Sequence, residues 1–248
     1  MSSIVRIISV VPSITELLYD LQLGDEVVGI TKFCIHPDQW FRSKTRIGGP
    51  KKLNLPLIRQ LKPDLIFANK EENIREEIEA CETFCRVYVS DVADYQDSLE
   101  MIRETGALTA RQAEANQIIN DIEKEFAALS KQETPLKSAA YMIWKDPLMT
   151  IGGDTFINDM MHLAGYHNIF GRSKRYPVLS EEELTNAEPE ILMLSSEPYP
   201  FAEKHVPYFR KLLPESQILL VDGEMFTWYG SRMRLAPKYF LRLWQEWR

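Results

Sequence analysis

The sequence predicts an α/β protein of two lobes with like topology, joined by one long helix, and three observations predict it. The first is a stripe of apolar residues, Ala115, Ile118, Ile119, Ile122, Phe126 and Leu129, at the spacing of one face of a 3.6-residue helix. About twenty residues in that pattern make a rod roughly 30 Å long. The second is a repeat. NLPLIRQLKPDLIFA, from Asn54, and SEEELTNAEPEILML, from Ser180, superpose at an offset of 126 positions without a gap. Each reads as a cap, a two-turn helix, an X-Pro-acid break and a buried strand, the unit from which α/β folds are built. The third is the position of the stripe, which leaves a segment of α/β character on each side. The resulting division is an N-terminal lobe over 1–108, a linking helix over 109–134 and a C-terminal lobe over 135–248.

The elements follow in order. Arg6 to Val10 reads as a short buried strand, and Ser13 with Glu16 as a capping box opening a helix through Leu21 that Gly24 stops. Val27 to Thr31 is the next strand, and Ile47 to Gly49 turn into a lysine-rich loop. Asn54 caps a helix broken at Pro63 and Asp64, and the apolar run Leu65 to Ala68 reads as a strand buried on both faces. Asn73 caps a helix to about Thr83, and Val87 to Val89 is a strand. Thr109 with Gln112 reads as the capping box of the long helix, and the polar run from Ser130 to Glu133 before Pro135 as its end. Beyond it, Ala139 to Trp144 is a strand, and Gly152 and Gly153 open a helix that Gly165 closes. Ser180 with Glu183 caps another helix, and Ile191 to Leu194 is a strand.

Composition excludes several classes of function. With 248 residues and 45% apolar content the chain buries a sizeable core, and its net charge of −7 argues against nucleic acid as a partner. No run of eighteen apolar residues is present, so no segment is expected to span a membrane. The opening MSSIVRIISVVPS lacks the basic and apolar regions of a secretory signal. The three cysteines suit a reduced or an indifferent compartment. Cys81 and Cys85, four apart and without a nearby histidine, make a poor metal site and read as small buried hydrophobes.

Two like lobes on a helical rod imply a ligand cleft between them, with the loops after the strands as its lining. These loops hold Pro12, Ser13, Phe33 to His36, Asn69 to Asn73, Trp144 to Thr155, Ser195 to Phe201 and Asp222 to Arg232. They are rich in aromatic residues, which suit a large flat or apolar ligand. The densest cluster is DGEMFTWYGSR, which contributes Glu224, Phe226, Trp228, Tyr229 and Arg232. Each ring can equally be an inward anchor of its loop. No nucleophile elbow, Walker loop, G-x-G-x-x-G or H-E-x-x-H is present. His36, two residues after Cys34, is a candidate ligand for a metal carried by the bound molecule, against the plainer reading of a histidine held by a backbone hydrogen bond. Four scattered histidines count against a direct zinc or manganese binder.

RIISVVPSITELLYDLQLGDEVVGITKFCIHP, the two repeat blocks, the long helix, TIGGDTFINDM and DGEMFTWYGSR together resemble the class III solute-binding proteins of bacterial ABC importers, which take cobalamin, haem or ferric siderophores. The resemblance covers nearly the whole chain. It implies two Rossmann-like lobes with parallel sheets on one backbone helix, a shallow cleft, little hinge motion and no catalytic residues. Compared with the cobalamin-binding members, Phe33 matches a cleft aromatic, Tyr176 replaces a tryptophan that faces the corrin, Glu224 matches an acid of the last loop, and Pro50 stands where a tryptophan is lost. Arg232 and Glu224 would fix the ligand's orientation, with Trp144 and Tyr176 among the rings. A docking glutamate on each lobe meets the permease in that family. Glu182 matches the second, while Pro56 occupies the first. The expected reading is a monomeric binding protein for a cobalamin-like corrinoid, haem or ferric siderophore, with an ABC permease as partner and no tightly bound cofactor. Its rival is a cytoplasmic corrinoid or metal-chelate handling protein or enzyme without a permease. The family role implies a periplasmic or cell-surface location, and a true start at Met1 a cytoplasmic one.

Overall fold

The strand order separates two main sheets, each wholly parallel, from two short antiparallel pairs in the computed structural model, which describes residues 6–130 and 136–246. Contacts divide the chain into two units. Among the described residues the first holds 6–92, 96–122 and 229–232, and the second 93–95, 123–130, 136–228 and 233–246.

In the first unit the strands run Thr45–Arg46, Val27–Ile30, Ile7–Ser9, Leu65–Asn69 and Arg86–Ser90 across the sheet. Ile7–Ser9 and Leu65–Asn69 are buried at every position, as short β-branched and aromatic runs covered on both faces must be. From Ile7–Ser9 the path moves out through Val27–Ile30, then crosses back to pair Leu65–Asn69 on the other side of Ile7–Ser9. That reversal is a topological switch point, the place where ligands of open α/β sheets bind outside the carboxyl ends of the strands.

The second unit repeats the device. Its order is Tyr166–Asn168, Lys137–Met142, Ile191–Ser195 and Gln217–Val221, so the switch falls between Lys137–Met142 and Ile191–Ser195. The repeat is structural in detail. Asn54 accepts the Leu57 N–H at 3.1 Å, and Ser180 accepts that of Glu183 in a full capping box. Lys62 and Glu188, equivalent under the repeat, both take the left-handed conformation, with φ of 48° and 45°. Their successors Pro63 and Pro189 bar further helix. Asp64 and Glu190 then accept the N–H of Arg6 and Ser138, each at 2.9 Å, which ties the returning strand to the first.

The predicted stripe from Ala115 to Leu129 is buried at every one of its six positions, on the helix Gln112–Leu129. The boundary between the units falls within this helix, after Ile122. Its start differs from expectation, because Thr109 is the last residue of a preceding helix, Tyr95–Thr109, that the pattern did not reveal. The Thr109 hydroxyl donates to the Thr105 carbonyl at 2.7 Å, a competing local bond that removes it as a cap. Ala110 follows with φ 56°, and Gly106 lets Ala115 lie so close that a Cβ there would stand 2.5 Å from the alanine methyl.

Four other boundaries differ. Ser13 caps nothing: the helix Pro12–Asp20 starts on Val11 with no side-chain cap, and Glu16 pairs with Arg232. Gln22, with φ 61°, takes the left-handed turn assigned to Gly24. Asn73 lies ahead of the helix Arg75–Glu82 and uses its amide on the Asn69 N–H and the Pro50 carbonyl. In the helix Phe156–Leu163 the cap is Thr155, one turn past the glycines assigned to open it. The predicted helix end over 131–135 lies outside the described residues.

Phe226 lies in the interior of the second unit. It is fully buried, with ring centroids of Tyr141 and Phe240 at 5.3 and 4.9 Å. Phe226→Ala should cost about 3–5 kcal/mol of stability, as cavity-forming aromatic truncations do, measured by chemical denaturation. Asn54→Ala and Ser180→Ala should each cost about 1 kcal/mol. If only one of the two changes registers, the helix starts are not physically equivalent.

Candidate functional site

At the first unit's switch point the loops after Ile7–Ser9 and Leu65–Asn69 are held by an ordered polar network. Asn69 accepts the N–H groups of Glu71 and Glu72 at 2.8 and 3.2 Å and donates to the Ser90 carbonyl. Tyr229 is buried and its hydroxyl donates to Glu72 at 3.1 Å; burial, then the adjacent carboxylate, hold the phenol protonated. Arg232 grips Glu16 with two parallel bonds of 2.7 and 2.8 Å, its side chain 8% exposed. That fork uses two of the guanidinium's donors on a residue of its own unit. Pro12 starts the helix, half-buried, and Ser13 is buried beside it.

Above the next strand, Phe33 is 52% exposed, its ring against Gly49, while Pro50 is half-buried with its carbonyl bonded to Asn73. Cys34 turns inward. Its thiol lies 3.0 and 3.1 Å from the hydroxyls of Thr15 and Thr31, and burial raises its pKa, so it does not stand with His36 as a ligand pair. His36 is half-buried in the same loop. Among the described residues no group of three His, Cys, Asp or Glu is placed to hold a metal ion. Cys81 is buried and Cys85 half-buried, with burial raising both thiols to about 11, where they act as weakly polar core groups.

In the second unit the rings gather at the switch point. Trp144, 39% exposed, follows the strand Lys137–Met142 and meets Tyr199 edge-on at 5.5 Å, from the loop after Ile191–Ser195. Its indole N–H donates to the Asp146 carbonyl at 3.1 Å, which fixes the ring while leaving a face open. Tyr176 is half-buried under the Arg175 guanidinium, 5.5 Å from its centroid. The run from Asp222 to Arg232 is divided. Phe226 and Trp228 belong to the second unit and Tyr229 and Arg232 to the first. Phe226 is core, and Trp228 is 7% exposed.

The sequence reading missed the residue that organises this loop. Glu197, two positions past the strand Ile191–Ser195, accepts the Trp228 indole N–H at 2.9 Å and the Thr227 hydroxyl. Glu224, half-buried, starts the short helix Glu224–Thr227, its N–H donating to Asp222. Burial raises the Glu197 pKa above its ordinary 4.5, against the bonds from Thr227 and Trp228 and with the charges of Glu224 and Asp222. The signal for it was an acid directly followed by proline in a strand-end loop.

A carboxyl whose folded pKa is raised binds its proton more tightly folded than unfolded. It therefore subtracts stability as pH climbs from 4.5 toward the folded value, and fully above it. Glu197→Gln keeps the acceptor oxygen and removes the charge. Its melting temperature should equal the wild type's near pH 4 and exceed it increasingly toward neutrality. A constant gap across that range would show that Glu197 titrates normally.

Three comparisons bear on this geometry. The family model described as periplasmic binding protein matches residues 7–206. A vitamin B12-binding protein of Photorhabdus laumondii is 28% identical over 194 residues, covering 77% of this chain and 70% of that protein. In fold, the chain is similar to the periplasmic vitamin B12 binding protein BtuF of Vibrio cholerae, with a TM-score of 0.81 at 21% identity, covering 98% of each chain. It is similar also to the periplasmic heme-binding protein RhuT from Roseiflexus sp. RS-1, with a TM-score of 0.82 at 20% identity over 98% of this chain and 99% of that one. The expectation of a binding protein rather than an enzyme agrees with a family of that kind. Two parallel sheets with ring-bearing loops at their switch points, and a match over most of the chain, place it in one group: the chain belongs to the periplasmic binding protein family.

Proposed function

We propose that the chain is a solute-binding protein that takes a metal chelate, a cobalamin-like corrinoid, haem or a ferric siderophore, and delivers it as a monomer to an ABC permease. The observation that carries this reading is the set of rings left open beyond the strand ends, Phe33 at 52% and Trp144 at 39% exposure, with half-buried Tyr176. Large exposed rings fixed by their own hydrogen bonds or backbone contacts lose little entropy on covering a flat ligand. The names of similar proteins, one binding vitamin B12 and one heme, support the same class of ligand. Buried Phe226, Trp228, Tyr229 and Arg232 hold the loops in place, and Glu224, Pro12, Ser13, Pro50 and His36 remain candidate contacts.

Titration with cyanocobalamin, haemin and ferric siderophores, followed by visible absorbance and tryptophan quenching, tests the reading. One of the three should bind saturably, and Trp144→Ala should weaken it by about 1–3 kcal/mol without lowering the melting temperature. If no chelate quenches the fluorescence, the function is another.

For the permease, Glu182 is the docking group proposed on the second unit. On the helix Glu181–Asn186 it is exposed, while Glu181 accepts from Tyr208 and Glu183 closes the capping box. The repeat-equivalent Pro56 is exposed in the first helical turn, where proline is tolerated and offers no charge. Affinity for a reconstituted cobalamin-type permease should fall with Glu182→Ala and rise with Pro56→Glu, each by the 0–1 kcal/mol or so of a rim ion pair. Binding indifferent to both changes would remove these helices from the docking face.

A further inference from the structure

A recess of about 640 Å³ lies wholly within the first unit, and its charge departs from that of the chain. Against a net charge of −7, its rim carries Lys32, Lys51 and Lys52 and no carboxylate. All three lysines are exposed, and among the described residues none is paired with an acid. The Glu77 carboxylate accepts the Leu53 N–H at 3.0 Å and so is turned to the backbone.

The hairpin that presents these charges is fixed. Gly48–Gly49 pairs antiparallel with Lys52–Leu53, and Gly48 has φ 108°, where a Cβ would stand 2.3 Å from the Lys52 carbonyl oxygen. The Lys32 N–H donates to Gly48 at 2.9 Å, which brings the loop after Val27–Ile30 onto the hairpin. Phe33 rests on Gly49, where a Cβ would lie 3.2 Å from the ring, and the Lys32 ammonium is 5.1 Å from its centroid. The result is one exposed aromatic face among three unneutralised ammonium groups.

Charges of one sign gathered around a concave, partly apolar wall focus the local potential and draw in a counter-ion of matching shape. An ammonium offers point attraction without the planar fork of arginine, so it selects total charge over the geometry of one carboxylate. The geometry points to a ring-bearing polyanion as the ligand of this recess: a metal chelate of net negative charge whose anionic oxygens sit on aromatic or conjugated rings. This rests on the chelate-binding reading above and deepens it, since it disfavours a corrinoid whose side arms end in neutral amides. Two sources share the chemistry, an iron(III) catecholate and a macrocycle with carboxylate arms.

The test compares the wild type with the K32Q/K51Q/K52Q triple variant, using iron(III) held by a hexadentate tris-catecholate chelator, haemin and cyanocobalamin as probes. Each titration is run at about 0.05 and 0.5 M NaCl, which span roughly 13 to 4 Å of Debye screening. The wild type should bind an anionic probe more tightly than cyanocobalamin, and the triple variant should bind it about tenfold more weakly, as the loss of several partly exposed ion pairs predicts. High salt should weaken the wild type and leave the variant nearly unchanged. Dependence on the lysines for the catecholate identifies that source, and for haemin alone the carboxylate macrocycle. All three positions are exposed, so the variant should melt as the wild type does, and the single change Lys51→Gln gives a smaller loss in the same direction should it not. Equal affinity of wild type and variant for the anionic probes, or a preference for cyanocobalamin, overturns the inference and leaves the chelate reading standing. Failure of all three probes to bind overturns that reading and this inference with it.

Discussion

Everything that positions the candidate site depends on how the third long strand of each unit is brought back beside the first. In the first unit Lys62 leaves the helix in a left-handed conformation, Pro63 bars its continuation, and Asp64 takes the Arg6 N–H at 2.9 Å. Glu188, Pro189 and Glu190 do the same for Ser138. A residue other than glycine at positive φ costs about 1 kcal/mol or more, and the carboxylate-to-backbone bond offsets part of that. Because a parallel pair slipped by one residue turns every side chain to the opposite face, anchoring its first residue sets the whole register. With that register fixed, the apolar runs Leu65–Asn69 and Ile191–Ser195 are buried throughout, and their carboxyl ends fall at the switch points.

The rings and acids in the strand-end loops divide into those that hold and those that are open. Tyr229 on Glu72, Arg232 on Glu16 and Trp228 on Glu197 are each an aromatic or cationic donor closed on a carboxylate of the same unit. Such pairs specify loop shape, because breaking one strands a buried polar group. Phe33 and Trp144 are the opposite case, anchored at one edge and bare over a large part of the ring. A binding surface needs both kinds, since an open ring on an unfixed loop would lose its orientation before it met a ligand.

The repeat and the apolar stripe were legible because they rest on periodicity and on proline, which constrain the backbone whatever surrounds them. Asn54 and Ser180 cap their helices as read, and the six stripe residues are all buried. The caps assigned to Asn73 and Thr109 were misread because each side chain has a partner supplied by distant or preceding residues, Pro50 with Asn69 and the Thr105 carbonyl, while at Ser13 the helix starts on Val11 with no side-chain cap. The site was legible only as a set of loops. Whether a ring in DGEMFTWYGSR faces inward is decided by Tyr141, Phe240 and Glu197, which lie outside it in sequence, and no pattern within the run carries that information. The lysines of the hairpin were visible as a basic stretch, but their meeting with Phe33 required the Lys32–Gly48 bond.

The two repeats also separate what the backbone requires from what the surface is free to change. Caps, left-handed exits, prolines and strand-anchoring acids recur at matching positions, since each satisfies a backbone need that both units share. The residues just inside the caps do not: Leu55, Pro56 and Leu57 in one, Glu181, Glu182 and Glu183 in the other. A first helical turn accepts any of these, proline included, because its N–H groups have no helical partner to lose. The acids of the second unit even gain from the helix dipole. The divergence is therefore not forced by folding, and it leaves one helix start without charge beside a basic hairpin and the other with three carboxylates. Two backbones built by the same rules thus present unlike electrostatic surfaces without either fold being altered.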